Sequence, residues 1–341
     1  MQFVRMGTTG TQVSRLCLGC MSFGGMGDWT LNEDASLPIL RKAVEAGINF
    51  FDTADIYSRG ESEQILGRGL KELKVRRDES VIATKVFNPM GRGPNRGGLS
   101  RKHIAQSIDA SLQRLGVDYV DLFQIHRFDY ATPIEETIEA LDDVVKSGKA
   151  LYIGASSMFA YQFSKYLHRA DATGRTRFAM MQNHYNLAYR EEEREMNPLC
   201  LDEGVGLIPW SPLAGGFLAG NREAGTVRSQ SAMGRGRYNR PEDHAVIEAL
   251  RKVAAQRGEA PAQVAIAWLL SKPAVTAPIV GVTKPHHLDD PLKAVENPLS
   301  AEEIAALEAP YAAQDVLGPI TAAEARPREI RPASVPRPEA A

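Results

Sequence analysis

Short apolar runs alternate with amphipathic stretches along most of this chain, and that alternation sets the fold class. Leu16 to Leu18, Ile48 to Phe51, Val81 to Thr84, Tyr119 to Ile125, Leu151 to Ala155, Phe178 to Met181, Val205 to Pro209 and Thr276 to Val280 read as buried strands. Between them, apolar residues recur at three- and four-residue spacing. Leu37, Leu40 and Val44 precede a stop at Gly47; Ile65, Leu66 and Leu70 mark a helix over Glu61 to Leu73. Ser100 is placed to cap a helix whose inner face is Ile104, Ile108, Leu112 and Leu115. Thr132-Pro133-Ile134-Glu135 has the spacing of a capping box with proline at the first helical position, opening a helix that Gly148 closes. Gln2 to Val13 predicts a hairpin ahead of the repeat. Eight strands, each followed by an amphipathic helix, predict an α/β chain folded as a (β/α)8 TIM barrel, one domain over residues 1–318.

Two stretches fall outside the repeat. Asn221 to Arg240 is rich in Gly, Arg and Ser and comes after the seventh strand, which predicts a long loop over the active site. Residues 319–341 carry Pro319, Pro327, Pro332, Pro336 and Pro338 among Ala, Glu and Arg, a tail that cannot build a core but can drape over the barrel.

The C-terminal ends of barrel strands are where active-site residues collect. Here the second strand ends in Asp52, the third in Lys85 and the fourth in His126. Ser156-Ser157, Gln182-Asn183, Trp210-Ser211 and Val280-Gly281 end the next four. A carboxylate at the end of a buried strand is costly unless a cation answers it, and Lys85 on the neighbouring strand is the natural partner. Tyr57 comes after Asp52 on what must be a loop. An ammonium beside a phenol favours the phenolate, so Lys85 is expected to lower the Tyr57 pKa and poise it for proton transfer. His126 is placed to hydrogen-bond a substrate oxygen. A tuned acid with two helpers and no nucleophile predicts proton delivery to a carbonyl, with the hydride coming from elsewhere.

Composition narrows the partners. The 341 residues carry a formal net charge of −2 and 43% hydrophobic residues, which describes a globular protein and argues against a nucleic-acid partner. No apolar run is long enough for a membrane span, and Met1 to Arg5 lacks the apolar core of a signal peptide, so a cytoplasmic protein with no membrane partner is expected. Cys17-Leu-Gly-Cys20 has the bare spacing of a redox motif. On a strand, however, residues three apart lie about 10 Å apart, beyond the roughly 7 Å that a disulfide allows. Buried thiols are expected there. His286-His287 reads as the start of a surface helix rather than a metal pair, and no metal is expected. Gly91 to Gly97 reads as a flexible loop over the site, and Gly234-Arg-Gly-Arg237 as a solvated loop rather than an RNA contact.

The motifs FFDTADIY, VIATK, DLFQIH, GASS, QNHYNL, WSPLAGG and IVGVTKPHHL, in this order at strand ends, resemble those of the aldo-keto reductase superfamily over roughly Gly10 to Leu307. WSPL and the insert after it are most similar to the bacterial oxidoreductases related to potassium-channel β subunits. The resemblance implies Tyr57 as general acid, tuned by Asp52 and Lys85, with His126 orienting the carbonyl. It implies a nicotinamide cofactor stacked on Trp210, with Ser156 and Gln182 on its carboxamide and Ser157 where the family commonly has asparagine. Ser211, Leu213 and Gly215 would line the pyrophosphate, and Gly281, Thr283, Lys284 and His287 the adenosine end. Lys284 with Arg222 or Arg228 would meet a 2′-phosphate, favouring NADP(H), with NAD(H) as the other candidate. The implied activity is reversible reduction of an aldehyde or ketone to the alcohol, with Met21, Trp29 and Phe87 lining a pocket suited to an apolar or aromatic carbonyl.

Two other readings compete. One is a cofactor-binding, redox-sensing regulatory subunit with slow turnover, similar to the channel β subunits. The other keeps the barrel but makes Lys85 a Schiff-base lysine.

Overall fold

The chain opens with an antiparallel hairpin, β1 (Phe3–Arg5) and β2 (Gln12–Ser14), in which Val4 pairs with Val13. The apolar runs then form parallel strands: β3 (Cys17–Gly19), β4 (Phe50–Asp52), β5 (Val81–Val86), β6 (Val120–Ile125), β7 (Ala150–Ser156), β8 (Phe178–Gln182), β9 (Gly206–Leu207) and β10 (Ile279–Val280). They make one sheet in the order β10-β3-β4-β5-β6-β7-β8-β9. The sheet curls back on itself. Thr276 donates its backbone N–H to the Leu207 carbonyl (2.8 Å), and Ile279 to that of Pro209 (2.9 Å), so the last strand in the row meets the segment entering β10. This computed structural model describes residues 1–220, 238 and 240–320.

The helices cover the outside: α1 (Glu33–Glu45), α2 (Glu61–Glu72), α3 (Arg101–Leu115), α4 (Ile134–Lys146), α5 (Ala160–Ala172), α6 (Met196–Asp202), α7 (Pro241–Arg257), α8 (Pro261–Leu270), α9 (Asp289–Glu296) and α10 (Ala301–Glu308). The architecture is the expected (β/α)8 barrel. Ser100 caps α3 as its sequence predicts, its hydroxyl accepting the His103 N–H. The capping box at Thr132 does not form. Pro133 stands at the cap of α4, and the Thr132 hydroxyl turns to the Asp129 carboxylate (2.7 Å). That carboxylate also takes the N–H groups of Leu99 and Ala131, so it organises the turn and outcompetes the helix end for Thr132. The seventh and eighth strands are shorter than their apolar runs because Pro209 and Pro278 have no N–H to give a ladder.

Inside the barrel, side chains stack in layers, and the period of two along each strand assigns residues to those layers. Cys17, Phe50, Val81, Ala83, Leu122 and Met180 form an apolar plug, all of them buried. One step further along the same inward faces come Asp52, Lys85, Gln124 and Gln182. The register matches this: Lys85 pairs with Gln124, and Gln124 with Gly154. A Cβ on Gly154 would stand 3.0 Å from Gln124 Cγ, so the glycine makes room for that amide. The polar layer therefore sits on a dry floor.

Cys17, Cys20 and Cys200 are free, buried thiols, and burial pushes all three pKa values up. Among the described residues no helix is long and apolar enough to cross a membrane. Loop 88–98, which contains the glycine run from Gly91 to Gly97, closes on itself. Met90 donates its N–H to the Arg96 carbonyl (2.9 Å), and Gly98 to that of Phe87 (2.6 Å). After α10, residues 309–320 run across the barrel, where Tyr130 donates its hydroxyl to the Ile320 carbonyl (2.9 Å). Residues 221–237, most of the long loop expected after the seventh strand, and the tail beyond 320 lie outside the described residues.

Candidate active site

Lys85 is the centre of the polar layer. Its Nζ, fully buried, donates to Asp52 Oδ2 (2.6 Å), to the Thr53 carbonyl (2.8 Å) and to the Tyr57 hydroxyl (3.2 Å). Three donors meet three acceptors, which is what a buried ammonium requires. The other oxygen of Asp52 accepts the amide N–H groups of Gln124 (3.0 Å) and Gln182 (2.8 Å). Tyr57 stands edge-on to His126, with ring centroids 5.7 Å apart. The four residues expected to do the proton chemistry are thus brought together from β4, β5, β6 and the turn after β4.

The electrostatics correct one expectation. Burial acts to lower the Lys85 pKa, but the Asp52 charge, then that of Tyr57, more than reverse it, so Lys85 stays an ammonium. Desolvation of the Tyr57 hydroxyl raises its pKa; Lys85 pulls it down, as expected, and Asp52 offsets part of that pull. The net direction is upward, because moving a phenolate out of water outweighs one neighbouring cation already shared with a carboxylate. Tyr57 therefore holds its proton at neutral pH. His126 is held well below its usual range by burial, then by the charges of Lys85 and Arg127, and is neutral. Its Nδ1 lies 3.2 Å from the Asn88 amide nitrogen. With that amide as donor, the imidazole carries its proton on Nε2.

A second cluster lies at the ends of β7, β8 and β9. Trp210 Nε1 donates to Ser157 Oγ (2.9 Å), and Ser156 Oγ lies 3.3 Å from Ser157 Oγ. The indole lies parallel to His184, with centroids 4.2 Å apart and planes within 10°. Among the described residues, seven non-glycine residues have positive φ, and five are here: Ser58 and Arg59 just after Tyr57, then Ser157, Ser211 and Ala214. Strained backbone of this kind concentrates at functional sites. Gly215 and Gly216 continue it at φ 67° and 99°, and a Cβ on Gly215 would meet nothing within 4 Å. An open, glycine-lined turn beside a flat indole fits a pyrophosphate next to a planar ring.

The remaining expected residues within the described part of the chain lie on the loops around this rim. Leu213 is half-buried at the start of the turn over Ala214–Ala219. Gly281, Thr283, Lys284 and His287 come after β10, and of these Thr283 alone is half-buried while the others are exposed. Gln182 gives its amide N–H to Asp52, which ties the two clusters together. Met21, Trp29 and Phe87 are half-buried on the loops after β3 and β5. Arg222 and Arg228 lie outside the described residues. His286-His287 sits in a short 3-10 turn ahead of α9, and among the described residues no three His, Cys, Asp or Glu side chains cluster as metal ligands would.

Sequence reasoning misses several neighbours. Gln124 is visible as a polar residue at an inward position two before His126. Asn88 carries no signal, because its loop position has no period. Asp55 lies in the FFDTADIY run, yet its spacing suggests no role. It is fully buried; Ser107 donates to its Oδ2 (3.4 Å), while its Oδ1 has no hydrogen-bond partner. Ser107 also lies 3.5 Å from His103 Nε2. Burial, then the charge of Glu63, raises the Asp55 pKa to about 7, against the opposing pull of the Ile56 N–H, Arg114 and Ser107.

Asp55 therefore makes stability fall as pH rises. An acid with a raised folded pKa binds more protons folded than unfolded, so its contribution is fully present below about pH 4 and is lost as pH rises through about 7. At 1.36 kcal/mol per pKa unit, that is about 4 kcal/mol across the span. Asp55→Asn is expected to remove its share of this slope: unfolding in urea, compared from about pH 5 to 8, should show stability falling less steeply in the variant than in the parent chain, with Glu192, whose pKa burial raises to about 8, supplying the slope that remains. Parallel curves would refute the assignment.

Comparison with known proteins agrees with the geometry. A profile of the Aldo/keto reductase family matches residues 15–312. A versiconal hemiacetal acetate reductase of Aspergillus parasiticus is 44% identical over 91% of this chain and 97% of its own. An aldo-keto reductase of Metarhizium robertsii is 40% identical over 93% and 92%. A putative aryl-alcohol dehydrogenase of Schizosaccharomyces pombe is 41% identical over 92% and 97%. With a profile and relatives that span nearly its whole length, this chain belongs to the aldo/keto reductase family of oxidoreductases.

Proposed function

We propose that this chain is an NADP(H)-dependent reductase of apolar or aromatic aldehydes and ketones, able to run in reverse on the alcohols. The observation that carries the reading is the Lys85 ammonium held between Asp52 and the hydroxyl of Tyr57, with a neutral His126 beside it. When bound, the nicotinamide supplies the hydride. Tyr57 then gives its proton to the carbonyl oxygen, and Lys85 stabilises the phenolate left behind. His126 Nε2 donates to the same oxygen and orients it, fixed by Asn88 behind it. Asp52 keeps Lys85 charged through the cycle. On the cofactor side, Trp210, Ser156, Ser157 and Gln182 would hold the nicotinamide end, and Ser211, Leu213 and Gly215 the pyrophosphate. Gly281, Thr283, Lys284 and His287, with Arg222 from the loop, would take the adenosine phosphate end.

The substrate class rests on the half-buried Met21, Trp29 and Phe87 and on relatives named for aryl alcohols and a hemiacetal acetate. Titration with NADPH and NADH, read by protein fluorescence, and then assays on aromatic and aliphatic aldehydes test the reading. The expected result is tighter binding of NADPH and higher kcat/KM on aromatic aldehydes. Absence of binding by both nucleotides would overturn it.

A further inference from the structure

The indole of Trp210 is the end of a stack. His184 lies parallel to it at 4.2 Å, and Tyr189 lies parallel to His184 on the other side, also at 4.2 Å, with planes within 12°. His184 and Tyr189 are buried. The stack ends in a hydroxyl rather than in more core. Tyr189 Oη accepts the Leu317 N–H (2.7 Å) and donates to the Leu317 carbonyl (3.1 Å). Both backbone groups of one residue are thus held by one phenol.

The next residue, Gly318, has φ +109°, and a Cβ there would lie 3.6 Å from Trp210 Cζ2 and 3.8 Å from His184 Cβ. The segment 309–320 therefore reaches both ends of the stack, hydrogen-bonded at the Tyr189 hydroxyl and passing beside the indole edge at Gly318. Elsewhere it is tied by polar contacts. The Tyr311 hydroxyl donates to Glu191 Oε1 (2.6 Å), and the Gln314 N–H to the same oxygen (2.8 Å). Residues 311–320 are all half-buried or exposed; Tyr311 and Leu317 pack against the core, and hydrogen bonds hold the rest of the segment. Each such bond contributes modestly, and losing one should loosen the segment without unfolding the barrel.

We propose that Tyr189 is a positioning residue for the cofactor: by latching the 309–320 strap at one end of the stack, it fixes the Trp210 ring and so sets how long the nicotinamide ring is retained. The proposal rests on the reading that Trp210 faces the nicotinamide. Tyr189→Phe keeps the ring and the stack and removes only the latch. Tyr311→Phe removes one of the two hydrogen bonds from the strap to Glu191, together with the acceptor of the Arg190 N–H, without touching the stack, and serves if the first variant does not fold.

Dissociation of NADPH and of 2′-phospho-ADP-ribose, which lacks the nicotinamide, is measured by stopped-flow fluorescence in the full-length chain. The expected result is dissociation of NADPH about five- to tenfold faster in both variants, as the loss of one or two net hydrogen bonds would give, with 2′-phospho-ADP-ribose unchanged. A general structural defect would speed both ligands equally and would overturn the proposal, as would unchanged NADPH dissociation. If the parent chain holds NADPH no longer than 2′-phospho-ADP-ribose, the nicotinamide reading itself falls, and this proposal with it.

Discussion

Tyr57→Phe is expected to lower the turnover number for carbonyl reduction by about 10³-fold, within the range that general acid catalysis supplies, while leaving NADPH affinity within about twofold. The ring stays packed against His126, and Lys85 keeps Asp52 and the Thr53 carbonyl, so two of its three hydrogen bonds survive. What disappears is the proton. Because desolvation raises the Tyr57 pKa, the phenol is protonated at neutral pH and reduction needs no further activation. Alcohol oxidation needs the phenolate, so its rate should climb with pH and still be climbing at the ordinary tyrosine value near 10, because the Tyr57 pKa lies above it, and Tyr57→Phe should abolish that climb. Steady-state kinetics in both directions checks this. Near-normal reduction by the variant would show that another group delivers the proton.

Asp52→Asn should act on stability as strongly as on rate. It leaves the Lys85 ammonium, fully buried, with only neutral oxygens for company. Breaking a buried pair on one side costs about 3 to 5 kcal/mol, and urea unfolding should show a loss of that size. The pair need not be a net source of stability, since the desolvation of both ions offsets much of their attraction. Asp52→Leu combined with Lys85→Met removes both charges and should regain most of the loss. About 1 to 3 kcal/mol would stay lost because the Gln124 amide N–H no longer has an acceptor and that of Gln182 keeps only the Gln124 oxygen. Activity should not return with stability. If single and double variants were equally unstable, the unpaired charge would not be the cause.

Much of this site is legible in the sequence because a barrel converts strand order into position. Asp52, Lys85 and His126 each end an apolar run, and parallel strands with short register shifts bring such ends to one rim. The direction of the Tyr57 pKa is not legible in the same way, because sequence shows which charges are near but not how much water the fold removes. The capping box at Thr132 fails for a similar reason: its spacing is local, while the competing carboxylate of Asp129 is committed by a contact to Leu99.

The sequence by itself determined the eight-fold repeat, the ionic pair and the family, since each depends on residue type at fixed spacing along one chain. Only the tertiary structure decided what lies between distant segments. It placed Gln182 on Asp52, 130 positions away, left Asp55 buried with a bare oxygen, and set Leu317 on the hydroxyl of Tyr189. Those contacts carry no period, because loop and tail residues meet their partners through the closure of the barrel rather than through any repeat in the chain.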